Sequence, residues 1–277
     1  IPVHADILIA SSYHPDFKAI SFSKKRIYTI GHSRDHYVGN VAEAYHKIIC
    51  DFSAYVPDML DPISNCLYQE LLGCPYVIPN NHKQLKNLIN CGLISKIEEL
   101  VSLDHRKILA SEYANRLISQ IINSGVVNQI DLTLKKRLIE HITVVRRTIV
   151  QFDDDVSIGL SHGDLKFEHI FPFDGGFKFI DWETLGHRSI MFDIINLLST
   201  WYVRRVKYHK FFSSDLMKIF LQLNKKRSMP VAVDELKKQL DLYTNLFVLE
   251  RYVRSITNKS ISFDRELSLE RAIRLID

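Results

Sequence analysis

Asp164, Asp181 and Asp193 crowd into one stretch of this chain, Leu160 to Leu198, which reads LSHGDLKFEHIFPFDGGFKFIDWETLGHRSIMFDIINLL. Each adjoins an apolar run that would otherwise bury it, and His162 and His169 flank the first. An aspartate beside a reacting hydroxyl accepts its proton. A second carboxylate with a neighbouring ligand holds a divalent cation against phosphate oxygens. His162, Asp164, His169 and Asp181 also form a possible transition-metal ligand set, the donor pattern of a metallohydrolase.

A turn must bring these groups together, and Asp174-Gly175-Gly176 is the clearest turn in the sequence. It joins EHIFPF to FKFID, two short runs rich in Phe and Ile, which predicts a tight hairpin. A hairpin places whatever precedes its first strand, Asp164 and His169, close to whatever ends its second, Asp181.

The surrounding elements follow from periodicity. From Ile7 to Ser33 alternation predicts strands of a small antiparallel sheet, DILIASS, FKAISFS and RIYTIGHS. NVAEAYHKIICDF (residues 40–52) reads as a helix with Asn40 as N-cap and Glu43 in its first turn. Cys66 to Leu71 reads as a strand that ends at a hinge, Gln69 to Gly73. Beyond it, helical spacing predicts helices over 81–103, 106–124 and 132–152, then a strand, VSIGLS, leading into the hairpin. Helices resume at FDIINLLSTWYVRR, SDLMKIFLQL, VDELKKQLDLYTNLFVLERYVRSI and LSLERAIRLI. The expected architecture is α+β and bilobal, with a small β-rich lobe over 1–72 and a large, mainly helical lobe over 73–277 that carries the hairpin. The space between two such lobes is a usual place for a ligand.

Composition narrows the class. Apolar content of 46% and charged content of 25% over 277 residues are those of an ordinary globular chain. A formal charge of +4 gives no reason to expect a nucleic-acid partner. Cys50, Cys66, Cys74 and Cys91 form no CxxC pair, which argues against both a zinc ribbon and a disulfide framework and suits a cytoplasmic protein. No run approaches the roughly 18 apolar residues of a membrane span. The start, IPVHADILIA, lacks the marks of a signal peptide, and its first residue, Ile, implies upstream residues.

The segment His162-Gly163-Asp164-Leu165-Lys166-Phe167-Glu168-His169 has the spacing H-x-D-x-x-x-x-(N/H), which is that of a protein-kinase catalytic loop. With FIDWE, the FD that follows, and LYQELLGCP before the hinge, the chain resembles the aminoglycoside phosphotransferase and choline kinase superfamily, a branch of the protein-kinase-like fold. The resemblance implies a kinase that moves the γ-phosphoryl group of ATP or GTP to a hydroxyl of a small molecule or glycan, with Mg²⁺. It makes Asp164 the base or a substrate-orienting carboxylate, His162 a brace of the loop, Asp181 the principal metal ligand with His169 assisting, and Asp193 a hydrogen-bond acceptor for the loop backbone. Gln69, Glu70 and Leu71 would face the nucleotide base, and Glu43 would pair with a phosphate-binding cation.

Two positions depart from that pattern. His169 stands where Asn is usual, and Mg²⁺ prefers oxygen donors. RIYTIG contains no internal lysine, which leaves Lys25 or Arg26 at its edge as the phosphate partner. Plainer roles exist as well: Glu43 can serve the helix dipole, Asp193 can cap its helix, His169 can be a buried histidine, and Lys25 and Arg26 can be solvated turn residues. An inactive, kinase-like nucleotide-binding module therefore stands beside the phosphotransferase and the metallohydrolase as a third expectation.

Overall fold

The computed structural model describes residues 78–102, 104–152, 154–173, 176–205, 210–225 and 233–257, with strands at 7–10, 17–21, 26–30, 59–63 and 66–70. The chain divides into two compact units, Ile1–Lys96 with Asp164–Leu185, and Ile97–Gly163 with Gly186–Asp277.

In the first unit, β1 (Ile7–Ala10), β2 (Phe17–Ser21) and β3 (Arg26–Ile30) form an antiparallel meander. β4 (Met59–Ile63) and β5 (Cys66–Glu70) extend it to the order β1-β2-β3-β5-β4. β4 is a strand that alternation did not announce. It holds Pro62 and a register shift between Leu60 and Ile63, and it lies at the sheet edge, where proline removes no needed ladder bond. The helices expected over 40–52 and 267–276 lie outside the described residues.

The helix expected over 81–103 is broken. α1 (His82–Leu88) starts at Asn81, whose side chain accepts the Gln84 amide at 3.0 Å, while Gln84 Oε1 accepts the Asn80 amide at 2.7 Å. A π turn follows at Ile89–Leu93, because Gly92 sits at φ 100, and α2 (Ile94–Ser102) then runs on. The predicted hairpin is present: β8 (Ile170–Phe173) pairs with β9 (Gly176–Phe179), Ile170 opposite Phe179. β9 packs near the π turn.

The second unit is built on a three-stranded antiparallel sheet, with β7 (Asp155–Ser161) between β6 (Arg106–Leu109) and β10 (Gly186–Ser189). β7 is buried from Val156 to Ser161. A Cβ at Gly159 would stand 2.3 Å from the Val101 carbonyl oxygen, so only glycine lets α2 lie this close. The helix expected from Arg106 begins instead at Ala110 as α3 (Ala110–Asn123), since residues 106–109 pair with Asp155–Ile158. α4 (Leu132–Val150) is capped by Asp131, and Leu134, Leu138, Ile142, Val145 and Ile149 form its buried face, as the spacing predicts.

α5 (Phe192–Val203) has no polar face and is buried on nearly all sides. α6 (Phe212–Lys225) and the 25-residue α7 (Val233–Thr257) complete the unit, and α7 packs against α3, α4, α5, α6 and β10. Leu246, Leu249 and Tyr252 on α7 are fully buried, each aliphatic burial contributing about 1.5–3 kcal/mol. Among the described residues no helix is long and apolar enough to cross a membrane.

Candidate active site

β7 delivers His162 and Gly163 at its end, and the second unit fixes their backbone. Asp193, in the first turn of α5 and 1% exposed, accepts the His162 amide through Oδ2 at 2.7 Å and the Gly163 amide through Oδ1 at 2.9 Å. Ser161 Oγ accepts the Gly163 amide at 3.1 Å as well. Gly163 adopts φ 82, a left-handed conformation in which glycine pays no Cβ penalty. The His162 side chain is fully buried. Hydrogen bonds to a buried carboxylate are among the stronger ones in proteins, so this turn is rigidly held.

From Asp164 to Leu185 the chain belongs to the first unit, where it gathers the remaining polar groups. Lys166 Nζ donates to Asp164 Oδ2 at 2.8 Å. A short 3₁₀ turn, Phe167–His169, sets the His169 ring, whose Nδ1 lies 3.0 Å from the Asp164 carbonyl oxygen. The other ring nitrogen, Nε2, stands 3.2 Å from Asp181 Oδ2. The Ile180 amide donates to the His169 carbonyl at 3.0 Å and ties the hairpin's exit to its entry. One ligand atom each from Asp164, His169 and Asp181 lies within 4.8 Å of the others.

Asp181 itself is held at φ 69, the only non-glycine residue with positive φ among those described. Such a conformation is uncommon outside glycine and costs free energy unless its surroundings impose it. Trp182 imposes it here. The indole is fully buried, donates to the Phe179 carbonyl at 2.7 Å and meets the Phe179 ring edge-on.

The donors fit a divalent cation. A carbonyl oxygen only accepts, so Nδ1 of His169 is the protonated nitrogen facing Asp164. Nε2 then presents a lone pair to a carboxylate oxygen unless it takes a second proton or shares a cation with it. Two carboxylates and one imidazole form a mixed donor set of that kind.

No protein-family model and no curated protein matches the chain. Solved structures do. A choline kinase from Streptococcus pneumoniae is 14% identical, with 98% of this chain and 94% of that one aligned at a TM-score of 0.64. An aminoglycoside phosphotransferase, a thermostable mutant in its apo form, is 10% identical, with 97% and 94% aligned at a TM-score of 0.57. An amicoumacin kinase in complex with AMP-PNP, Ca²⁺ and Ami is 14% identical, with 98% and 87% aligned at a TM-score of 0.54. This chain has the choline kinase and aminoglycoside phosphotransferase fold. That is the protein-kinase-like α+β architecture expected from HGDLKFEH and FIDWE.

Within this kinase-like fold the structure brings together Asp164, His169 and Asp181 in one unit, and His162 with Asp193 in the other. Arg26 opens β3 directly opposite Glu70 of β5, and Gln69 stands opposite both Ile27 and Met59. Lys25, Glu43 and Leu71 lie outside the described residues. Sequence reasoning passed over Lys166. Its signal was its position two residues after Asp164 within the same loop, where a long cationic chain folds back onto the carboxylate.

Proposed function

We propose that this protein is a phosphotransferase that moves the γ-phosphoryl group of ATP or GTP to a hydroxyl of a small molecule or glycan. The observation that carries this reading is the convergence of Asp164, Lys166, His169 and Asp181 at the base of one hairpin, on a fold shared with small-molecule kinases. The nucleotide analogue and divalent cation in the amicoumacin kinase support the choice of co-substrate.

In the reaction, the acceptor oxygen attacks the γ-phosphorus in line with the bridging oxygen to the β-phosphate. Its proton passes to the Asp164 carboxylate, the bond to the bridging oxygen breaks, and a nucleoside diphosphate leaves. Lys166 fixes the orientation of Asp164 and offsets part of its charge. Asp181 and His169 would hold Mg²⁺, which when bound supplies charge neutralisation for the phosphate oxygens. Asp193 keeps the loop that precedes Asp164 in one conformation, so catalysis is mostly positioning. Arg26 or Lys25 would serve the nucleotide phosphates, with Glu43 as the partner of that cation, and Gln69, Glu70 and Leu71 would meet the base.

The metallohydrolase reading needs His162 as a fourth ligand, and the ligand atoms that gather among the described residues are those of Asp164, His169 and Asp181. The decisive experiment is a turnover screen of purified protein with ATP and GTP against amines, sugars, antibiotics and glycans carrying a free hydroxyl. Acceptor-dependent release of diphosphate, lost in Asp181→Ala, is the expected result. Nucleotide binding without turnover in any arm would leave the inactive module instead.

A further inference from the structure

A cavity of about 230 Å³ lies wholly within the second unit, among α3, β6, β10 and α7. That is several times the ~30 Å³ that a water molecule occupies in the liquid. Its floor is apolar, formed by Leu117 and Ile158. Four guanidinium groups line it, from Arg106 on β6, Arg116 on α3, Arg188 on β10 and Arg254 on α7. Among the described residues the acidic groups beside them are Glu112, Asp104 and Glu250, and Asp193 acts on Arg188. Arg116 pairs with exposed Glu112 at 3.0 Å, a contact worth little in stability. His187 is held by Asp104 at 2.7 Å. Glu250 is the carboxylate of the lining, and its oxygens already accept from Tyr113, from the Ser189 amide and from Ser189 Oγ.

Arg188 is the telling residue. Its Nη1 is sealed from solvent and has no hydrogen-bond partner among the described residues. Its guanidinium carbon stands 5.0 Å from the centre of the Phe192 ring. Nη1 is closed to a ligand as well as to solvent in this conformation, so Arg188 meets the cavity through its other atoms. Burial lowers the arginine's pKa, while the charges of Asp193 and Glu250 act in the opposite sense. A planar fork presented beside three further guanidinium groups is the recognition chemistry of a carboxylate or phosphate.

We infer that this cavity is a binding site for a small oxyanion-bearing molecule, a phosphate monoester or a polycarboxylate, with Arg188 as its anchoring donor and Arg254, Arg106 and Arg116 as its cationic wall. The site stands apart from the Asp164–His169–Asp181 group in its residues, and the inference does not depend on the phosphotransferase reading.

The test is calorimetric titration of the full chain at low ionic strength with two probes, inorganic phosphate and citrate. Saturable one-to-one binding of either probe is expected, and which one binds more tightly assigns the ligand to the phosphate or the polycarboxylate class. Arg188→Gln should weaken it by about tenfold or more, the effect of losing one charge-assisted hydrogen bond. Arg188→Lys, which keeps the charge but not the fork, should recover only part of that loss. Asp181→Asn should bind as wild type does. Protection of arginines from phenylglyoxal by the bound probe gives a second readout, lost in the exposed-rim pair Arg106→Gln and Arg116→Gln even if Arg188→Gln does not fold. Absence of saturable binding for both probes, unchanged affinity in the arginine variants, or loss of binding in Asp181→Asn would each overturn the assignment.

Discussion

His169 and Asp181 approach to 3.2 Å through Nε2 and Oδ2, while the other ring nitrogen is committed to the Asp164 carbonyl. On the proposed reading this pair holds the cation. Mg²⁺ or Mn²⁺ should raise the melting temperature of the wild-type protein in a saturable way, since a ligand that binds only the folded state stabilises it by mass action. Asp181→Asn should lose that response. His169→Asn should retain it for Mg²⁺, because an amide oxygen is the harder donor. A metal response of wild-type size in Asp181→Asn, followed by differential scanning fluorimetry, would exclude this group as the cation site.

Lys166 Nζ donates to Asp164 Oδ2 at 2.8 Å, and on the proposed reading this pair serves the chemical step rather than nucleotide binding. Asp164→Asn should lower kcat by orders of magnitude while leaving the nucleotide KM nearly unchanged, because only proton acceptance and alignment are lost. Lys166→Met should lower kcat less, by about ten- to a hundredfold, through a misaligned carboxylate. Steady-state kinetics of both variants with the acceptor found in the screen decides this. Equal losses in KM and kcat for Asp164→Asn would point to a binding role instead.

Asp193 accepts two amides from a turn that contains a left-handed glycine. Asp193→Ala would strand the His162 amide in a buried site, at about 1–3 kcal/mol, and leave the Gly163 amide to Ser161 Oγ alone. Urea denaturation should show a loss of roughly 1–3 kcal/mol by the same reckoning. Asp193→Asn should lose less, because its one carbonyl oxygen still serves one amide. A variant without either amide partner that unfolds at the wild-type midpoint would show that the clamp contributes nothing.

Much of the site was legible because its signals are local. The Asp-Gly-Gly turn with flanking Phe and Ile residues announced the hairpin, and the hairpin alone placed Asp181 near His169. The inner face of α4 was readable from Leu134 to Ile149 because an amphipathic helix writes its burial into its period. What escaped was decided by partners distant in sequence. Residues 106–109 carry helical spacing yet form a strand, because Asp155–Ile158 offers them a ladder some fifty residues away. The helical spacing over 81–103 runs through Gly92, whose positive φ breaks the helix. The arginine-lined cavity draws on four elements whose cations, read singly, look like solvated surface charges.

Glu250 gives the last expectation, and its sign can be worked out. Burial is the dominant influence and pushes its pKa up from an ordinary 4.5 to about 7, against the hydrogen bonds from Ser189 and Tyr113 and the positive charge of Arg188. The folded state therefore binds this proton more tightly than the unfolded chain. Its stabilising effect is fully present below about pH 4.5, shrinks as pH rises, and is gone above about pH 7. Glu250→Gln keeps most of the geometry and cannot titrate. Relative to wild type, the variant should gain stability between pH 5 and pH 8, by on the order of 3 kcal/mol for a shift of this size. Urea midpoints of the two proteins at pH 5, 6, 7 and 8 measure that difference directly. Parallel profiles would mean that Glu250 stays ionised throughout, held by Arg188 and the three donors rather than by a proton.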